Sequence, residues 1–164
     1  MGARVVGATD PVVRPFADGD RDAVIGFLAG SEPWVRLGYT ASDWERIFSA
    51  SRAEVEAWVI EAEGAVAGVA IVRRNFLAGD YLELFAIAPA ARGKGLGASF
   101  LAELERRVFA RTKNFFVCVS DFNRSARRFY ERSGYREIGP ISDLLVAGAD
   151  EILLRKTIGP ARGR

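Results

Sequence analysis

Residues 84–97 have the sequence LFAIAPAARGKGLG, in which an apolar run leads into a turn with three glycines and two cations. The run begins at Tyr81 and only Glu83 interrupts it, a composition typical of a strand buried on both faces. The residues after the turn form an apolar stripe at helical spacing: Leu96, Phe100, Leu101, Leu104 and Val108. The stretch therefore predicts a central strand, a tight turn and an amphipathic helix in succession.

The glycine-rich turn predicts an anion site. A helix N-terminus presents unpaired amides and partial positive charge, and glycines let a phosphate group approach the backbone. Arg92 and Lys94 add positive charge, while a tight turn without a ligand is the alternative. Residues 93–98 also satisfy the G-x-G-x-x-A pattern of dinucleotide-binding folds. That pattern belongs to repeated strand–helix units, whereas hairpin-like strands precede the turn here, so we reject a dinucleotide fold.

Length and composition predict one globular domain. The chain has 164 residues, of which 49% are hydrophobic and 27% charged, so we expect a single domain over residues 1–164 with flexible ends at 1–9 and 159–164. It holds no apolar run of 18 residues and no signal-peptide pattern, which predicts a cytoplasmic protein without a membrane partner. With no histidine and one cysteine, neither a disulfide framework nor a metal site is expected.

Charge is distributed unevenly along the chain. Residues 1–80 carry 8 Arg/Lys against 12 Asp/Glu, whereas residues 81–164 carry 15 against 9. The second half is therefore the expected home of an anionic ligand. Its cations are scattered over predicted helices without a nucleic-acid-binding motif, so no nucleic-acid partner is expected.

Periodicity and turn residues predict the remaining elements in order. A strand over 12–14 precedes a helix that starts at Asp18 or Asp20, a loop over 31–39 and a helix from Thr40 or Ser42. Strands over 53–61 and 65–73 form a hairpin. The central strand and its helix follow. The chain then continues with a strand over 115–119, a helix over 123–132, and strands over 135–138 and 151–156. This order gives an α+β or mixed α/β fold.

Two segments of the chain resemble the GNAT superfamily of N-acetyltransferases. Residues 84–97 look like that family's acetyl-CoA motif, R/Q-x-x-G-x-G/A after an apolar strand. Residues 123–135, NRSARRFYERSGY, are similar to its N-x-x-A-x-x-x-Y-x-x-x-G-F/Y motif. The resemblance implies a mostly antiparallel, twisted central sheet of about six to seven strands flanked by about four helices. It also implies direct acetyl transfer from acetyl-CoA to a primary amine in a ternary complex, without a metal.

The resemblance assigns roles to particular residues. The backbone of Phe85, Ala86 and Ile87 would pair with the pantetheine arm of the donor, and the amide of Ile87 would stabilise the oxyanion. The remaining donor contacts that it implies are Arg92, Gly93, Lys94, Gly95, Leu96, Gly97, Ala98 and Asn123, where Asn123 caps its helix, contacts the donor, or does both. Arg128 is close enough to Asn123 to reach the 3′-phosphate of CoA, and a solvated position on the helix surface is the alternative. Tyr130 matches the family's general acid, and packing in the core is the alternative for this side chain.

Three further features leave alternatives open. Glu83 is the candidate general base if desolvation raises its pKa, and the alternative is a carboxylate paired with an Arg of the neighbouring strand. Cys118 lies in an apolar strand without a histidine to activate it, so core packing is its preferred interpretation. Trp34 and Tyr39 fall where the family shapes its acceptor pocket, or they pack beneath the loop.

The sequence predicts an acyltransferase but does not identify its acceptor. A protein N-terminus, a lysine and a small-molecule amine all present the same nucleophile, and the acyl group could be longer than acetyl. The resemblance also allows a homodimer. A non-catalytic CoA-binding sensor or another anion- or nucleotide-binding module is the alternative function, and the presence of Tyr130 and Glu83 favours the enzyme.

Overall fold

The structure, a computed structural model, describes residues 10–163. The expected flexible segment 1–9 and the last residue lie outside the described residues, and residues 159–163 form neither helix nor strand. Within the described range no helix is long and apolar enough to cross a membrane.

The described residues form seven strands and four α-helices. The strands are β1 Val12–Pro15, β2 Val55–Ala62, β3 Ala65–Phe76, β4 Gly79–Ile87, β5 Asn114–Ser120, β6 Arg136–Ser142 and β7 Asp150–Thr157. The helices are α1 Arg21–Leu28, α2 Ala41–Ser49, α3 Leu96–Phe109 and α4 Arg124–Arg132. These bounds confirm the predicted order of elements, although β6 extends four residues beyond the predicted end of its strand at 138.

The strands form one sheet in the order β1-β2-β3-β4-β5-β7-β6. Every neighbouring pair is antiparallel except β4 and β5, which are joined through α3 and run parallel. The resulting mostly antiparallel sheet with four helices confirms the predicted fold class. The hairpin between β2 and β3 turns at Glu63 and Gly64, as the sequence predicts.

Each face of the sheet carries its own hydrophobic core. On one face the buried side of α3, including Phe100, Leu101 and Leu104, packs on Phe115 and Val117 of β5. The opposite core joins α1 and α2 to β2, β3 and β4 through Val24, Leu28, Trp44, Val59, Val69 and Leu84. Because the helices bury their apolar stripes on both faces, the sheet is held rigidly between two layers.

Helix starts differ in how their backbone amides are satisfied. Thr40 caps α2, where its Oγ1 accepts from the Asp43 amide and Asp43 Oδ2 accepts from the Thr40 amide at 2.9 Å. Asn123 caps α4 through its Oδ1, which accepts from the Ala126 amide at 3.2 Å. The start of α3 has no side-chain cap, because Gly95 occupies the capping position. Its first amides are therefore available to a ligand.

Candidate active site

A single residue of β4 creates the opening in the sheet. Ile71 of β3 lies opposite Leu84, and the next residue, Val72, lies opposite Leu82, so Glu83 is the extra residue of a β-bulge. β4 and β5 pair only from Asp80 to Leu82, and beyond this point they separate. Because a bulge bends its strand and increases the local twist, it accounts for the separation of the two strands where it occurs.

Backbone amides of β4 point into this opening. Ala88 donates its amide to the Ala67 oxygen of β3 at 2.8 Å. Successive amides of a strand point to opposite edges, so the amides of Ile87 and Phe85 point away from β3. No strand of the described residues pairs with β4 along this part of its edge. These two amides are therefore free to bind a ligand that lies between β4 and β5.

A cavity of about 700 Å³ occupies the opening and reaches both faces of the sheet. On the face of α3 and α4 it is lined by the glycine-rich turn and by these side chains: Asn123, Phe129, Tyr130 and Arg132. On the face of α1 and α2 it is lined by Glu32, Pro33, Trp34, Leu37, Tyr39, Tyr81, Glu83, Cys118, Ser120, Leu145 and Glu151. The sequence predicted a strand buried on both faces, but the departure of β5 leaves the side chains of Glu83, Phe85 and Ile87 only half-buried.

The glycine-rich turn has the geometry of an anion site. Gly93 and Gly95 have φ of +75° and +77°, a left-handed conformation that other residues adopt only with strain. A Cβ at either position would meet no atom within 4 Å, so the space beside the turn is open. Arg92 donates its Nε to the Ile87 oxygen at 3.1 Å and so links the turn to the end of β4. The free amides of α3 face the same cavity.

Two predicted donor contacts lie away from this cavity. The side chains of Lys94 and Arg128 are exposed, and neither residue lines it. Arg132, in the last turn of α4, does line the cavity. Sequence reasoning missed Arg132 because several arginines of one helix cannot be ranked before the helix is oriented on the sheet.

Tyr130 lies on the buried side of α4, among other aromatic rings. It is 5% exposed, and its ring centroid is 5.2 Å from that of Phe129 and 5.4 Å from that of Tyr135. Burial raises the pKa of Tyr130 well above its usual range, so the hydroxyl stays protonated. The residue also lines the cavity, so the two interpretations of its role, a packed ring and a proton donor, are compatible in this geometry.

The environment of Glu83 differs from the desolvated, unpaired one that the sequence prediction of a general base required. Its Oε2 accepts from Arg73 at 2.7 and 3.0 Å, and its Oε1 pairs with Arg52 at 2.8 Å. The side chain is 25% exposed. The desolvated, isolated carboxylate of the sequence prediction is thus replaced by an ion-paired one, with Arg73 supplied by the neighbouring strand β3.

Cys118 is not packed in the core, contrary to the sequence interpretation. Val117 and Val119 point into the core beneath α3, so Cys118 points to the opposite face, where it is partly exposed and lines the cavity. Burial raises the pKa of its thiol, which disfavours the thiolate.

Trp34 and Tyr39 combine the two roles that the sequence left open. The ring of Tyr39 stacks on Trp44 with centroids 4.8 Å apart, and Trp34 meets the same indole edge-on at 5.8 Å. Both side chains also line the cavity on the face of α1 and α2. Packing on buried Trp44 therefore holds two aromatic walls in place.

Glu151 and Ser120 were not predicted from the sequence. Glu151, near the start of β7, is 4% exposed, and its Oε1 accepts from Ser120 Oγ at 2.5 Å. The two residues are partners in the β5–β7 register, and both line the cavity. No sequence signal marks Glu151, because it becomes part of the site only when β7 pairs beside β5. Within residues 10–163, no group of three His, Cys, Asp or Glu side chains could hold a metal ion.

Comparison with known proteins gives a consistent result. The family model described as the Acetyltransferase (GNAT) family matches residues 27–135. An uncharacterised N-acetyltransferase of Methanocaldococcus jannaschii is 32% identical over 108 residues, which are 65% of this chain and 69% of that protein.

Solved structures share the fold at low sequence identity. An aminoglycoside 6'-N-acetyltransferase complexed with coenzyme A aligns with a TM-score of 0.74 at 17% identity, over 93% of this chain and 99% of its own. The ribosomal-protein-S18-alanine N-acetyltransferase of Escherichia coli aligns with a TM-score of 0.72 at 18% identity, over 94% and 97%. The spermidine N-acetyltransferase of Vibrio cholerae, in complex with CoA and spermine, gives 0.72 at 16% identity, over 90% and 95%.

Proposed function

This chain belongs to the GNAT family of acetyltransferases and is an acetyl-CoA-dependent acyltransferase, and on that premise we propose that it transfers the acetyl group directly to a primary amine in a ternary complex. The acceptor is the amine of a protein N-terminus, a lysine or a small molecule. The observation that carries this proposal is the cavity that passes through the sheet between β4 and β5. It lets a donor and an acceptor approach from opposite faces and meet at the bulge.

The donor side of the cavity fits acetyl-CoA. The amides from Gly93 to Ala98 bind the pyrophosphate, because they lie at an uncapped helix start beside open space. The backbone of Phe85 and Ile87 binds the pantetheine arm along the free edge of β4, in the place that a neighbouring strand would otherwise take. Asn123 keeps the start of α4 in position beside this arm.

The end of β4 supplies the electrostatic part of catalysis. The Ile87 amide points into the opening, where it donates to the thioester oxygen as negative charge develops on it. This amide belongs to a strand held by β3 on its other edge, so little reorganisation is needed during the reaction. An oriented donor of this kind typically contributes about 10²- to 10³-fold to the rate.

Tyr130 serves as the proton donor to the leaving thiolate. Its raised pKa keeps the hydroxyl protonated at every working pH. The same raised pKa makes the phenolate strongly basic, so the phenolate would recover a proton from the newly bonded nitrogen as the thiol leaves. Because Tyr130 donates one proton and recovers one, it is unchanged after each turnover.

Direct transfer is favoured over an acyl-enzyme. The only cysteine of the chain, Cys118, has a raised pKa, and the sequence contains no histidine that could activate it. Trp34 and Tyr39 form walls of the acceptor side and position the amine, while Glu83 lines the same cavity with its charge paired to Arg52 and Arg73.

Calorimetry with acetyl-CoA, and with NAD and ATP as parallel ligands, tests the donor assignment. We expect saturable binding of acetyl-CoA and CoA only. Release of CoA thiol is then measured with an alanine-led peptide, lysine and spermidine as acceptors. Acetyl-CoA binding without thiol release from any amine would support a CoA-binding sensor, and absence of binding would overturn the proposal.

A further inference from the structure

Glu151 is a nearly fully buried carboxylate that faces the acceptor side of the cavity. Its exposed fraction is 4%, and Ser120 Oγ donates to its Oε1. Its Oε2 accepts no hydrogen bond from the described residues, yet this oxygen is not sealed from the cavity. A buried carboxylate is costly unless it is paired, so an open oxygen in a cavity marks a place for a partner.

The groups around Glu151 supply no positive charge. Asp121 follows at the end of β5, Cys118 lies on β5, and Tyr39 approaches from the loop before α2. Tyr81 and Glu83 face it from β4. Among the described residues no Lys or Arg forms an ion pair with Glu151, and burial and Asp121 raise the pKa of its carboxyl.

Glu32 and Glu83 are the other two carboxylates that line the cavity: Glu32 is exposed to solvent, and Glu83 is already neutralised. Arg52 and Arg73 engage its two oxygens at 2.8 and 2.7 Å. An incoming ammonium group would have to compete with two guanidinium groups at Glu83 and with none at Glu151. Of the three carboxylates, Glu151 is therefore the only one that is both buried and without a cation, and it is the one that a cationic acceptor stabilises.

We propose that Glu151 binds the ammonium group of the acceptor and takes its proton. The inference rests on the proposed function, for which it names the acceptor class: a primary amine that arrives protonated. The proton moves from the ammonium nitrogen to Glu151 Oε2, leaving a neutral amine and a carboxylic acid that is still held by Ser120. The amine nitrogen then bonds to the thioester carbon, the carbon–sulfur bond breaks, and the sulfur leaves with a proton from Tyr130, whose phenolate recovers a proton from the newly bonded nitrogen. The acid form of Glu151 returns its proton to solvent after product release.

The walls of this subsite suit a cation with an apolar body. The rings of Trp34, Tyr39 and Tyr81 line the cavity together with Glu151. Aromatic faces attract a cation, and more strongly when it is desolvated. A carboxylate at the end of an aromatic pocket therefore selects an alkyl- or arylalkyl-ammonium group over a neutral analogue.

Rate profiles against pH distinguish proton transfer from a structural role. With saturating acetyl-CoA and an amine that the parent acetylates, we expect kcat/KM of the parent to rise as Glu151 ionises and to fall above the pKa of the amine. Glu151→Gln should lose about 100-fold in kcat/KM at neutral pH and keep rising up to the pKa of the amine, because only neutral amine then reacts. Ser120→Ala should move the acid limb to higher pH, because the Ser120 hydrogen bond lowers the pKa of Glu151.

Glu83→Gln is the matched variant in the same cavity, and it should keep the parental shape of the profile. A Glu151→Gln profile parallel to that of the parent, with a loss below threefold, would overturn the proposal. Acetyl-CoA affinity is measured for each variant and should agree within twofold. If the parent does not bind acetyl-CoA, the proposed function is overturned. The infrared measurement described next then tests the Glu151 subsite independently of that function.

Infrared difference spectra test the subsite without turnover. In D2O the parent should show a protonated carboxyl band that titrates above the range of exposed glutamates and is missing in Glu151→Gln. Phenethylammonium chloride should shift this titration to lower pH, and 2-phenylethanol should not, because only the cation favours the carboxylate. The proposal would be overturned if the parent lacked this band, or if the ammonium probe did not shift its titration. Either result holds whether or not the enzyme turns over.

Discussion

Arg73 of β3 donates two hydrogen bonds, of 3.0 and 2.7 Å, to one oxygen of Glu83, at the position where β4 bulges and leaves β5. The second oxygen of Glu83 pairs with Arg52, which precedes β2. The carboxylate thus joins two segments at the rim of the opening. Its contacts suit a structural tie better than a group that must accept a proton.

Replacement of this tie should have modest effects. Glu83→Gln loses the charge but can still accept hydrogen bonds, and the paired side chains are 25 to 42% exposed, so we expect a loss of about 1 kcal/mol. Thermal denaturation should show a midpoint about 2–4 °C lower. The value of kcat/KM should fall by less than tenfold. A hundredfold loss with unchanged acetyl-CoA affinity would return the base role to Glu83.

Removal of the Tyr130 hydroxyl should slow catalysis without weakening donor binding. Tyr130→Phe keeps a ring of the same shape among Phe129 and Tyr135, so the core should stay packed. We expect kcat to fall about 100-fold while the Kd of acetyl-CoA changes by less than twofold, because a general acid acts only as the sulfur leaves.

Tyr135→Phe is the matched control for this measurement. Tyr135 is equally buried and lies next to Tyr130, but it does not line the cavity. Its variant should keep kcat within about twofold. If both variants lost activity equally, the effect of Tyr130→Phe would come from packing.

The backbone conformation at Gly95 should control donor affinity. Gly95 has a φ of +77°, so Gly95→Ala forces a residue with a Cβ into the left-handed region at a cost of about 1–2 kcal/mol. The first turn of α3 would shift, and we expect the Kd of acetyl-CoA to rise about tenfold by calorimetry.

Gly97→Ala provides the stability control for this variant. A Cβ there would meet Ile87 and Phe129 at 3.6 Å, an ordinary packing distance, and Gly97 lies within the helix. Its unfolding free energy should stay level or rise by up to about 1 kcal/mol. Gly95→Ala with parental stability and parental Kd would contradict the assignment of the turn.

The stability of the protein should depend on pH through Glu151. Burial raises its pKa in the folded state above the ordinary value of 4.5, so the fold favours the protonated form. This favourable contribution is complete below the unfolded pKa and is lost as the pH rises through the folded pKa. Glu151→Gln cannot ionise, so its unfolding free energy relative to the parent should increase from pH 4.5 upward and then level off.

Chemical denaturation of both proteins at a series of pH values checks this relation. Because Glu151→Gln retains an acceptor for Ser120 Oγ, the comparison isolates the charge. A difference between the two proteins that is constant over the range would mean that Glu151 has the same pKa in both states.

A buried ion pair secures the short paired region of β4 and β5. Arg111 donates its Nε to Asp80 Oδ2 at 2.7 Å, and Asp80 is 3% exposed. Arg111→Met would leave this carboxylate buried without its cation, which typically costs about 3 kcal/mol. Urea denaturation should show the loss. Arg106→Met, which breaks an exposed pair with Glu103 in α3, should change stability by less than about 0.5 kcal/mol.

Local patterns in the sequence were sufficient for the order of the elements and for the glycine-rich turn. Strand alternation, helix stripes, caps and turn residues are properties of neighbouring residues, so they can be recognised before the chain is folded. The glycine-rich turn predicted an uncapped helix start, and Asn123 was expected to cap the next helix, as it does. Lys94 and Arg128 show the limit of this approach, since charge near a motif does not reveal the direction of a long side chain.

Tertiary structure decided which side chains line the cavity on the face of α1 and α2. One extra residue in a strand reverses which side chains reach each face, and the local sequence pattern did not predict the bulge at Glu83. Cys118 points into the cavity because it alternates along β5 with Val117 and Val119, which point into the core. Glu151 reaches the site only because β7 inserts between β5 and β6.

The sequence by itself therefore determined the order of elements and the glycine-rich turn, which depend on contacts between close neighbours along the chain. Only the fold decided where the sheet opens and which carboxylate of the cavity is buried without a cation. Those outcomes depend on strand register and on partners more than 20 residues apart, such as Arg52 with Glu83 and Ser120 with Glu151. Burial, and with it the free energy of a charge, is a property of the assembled core.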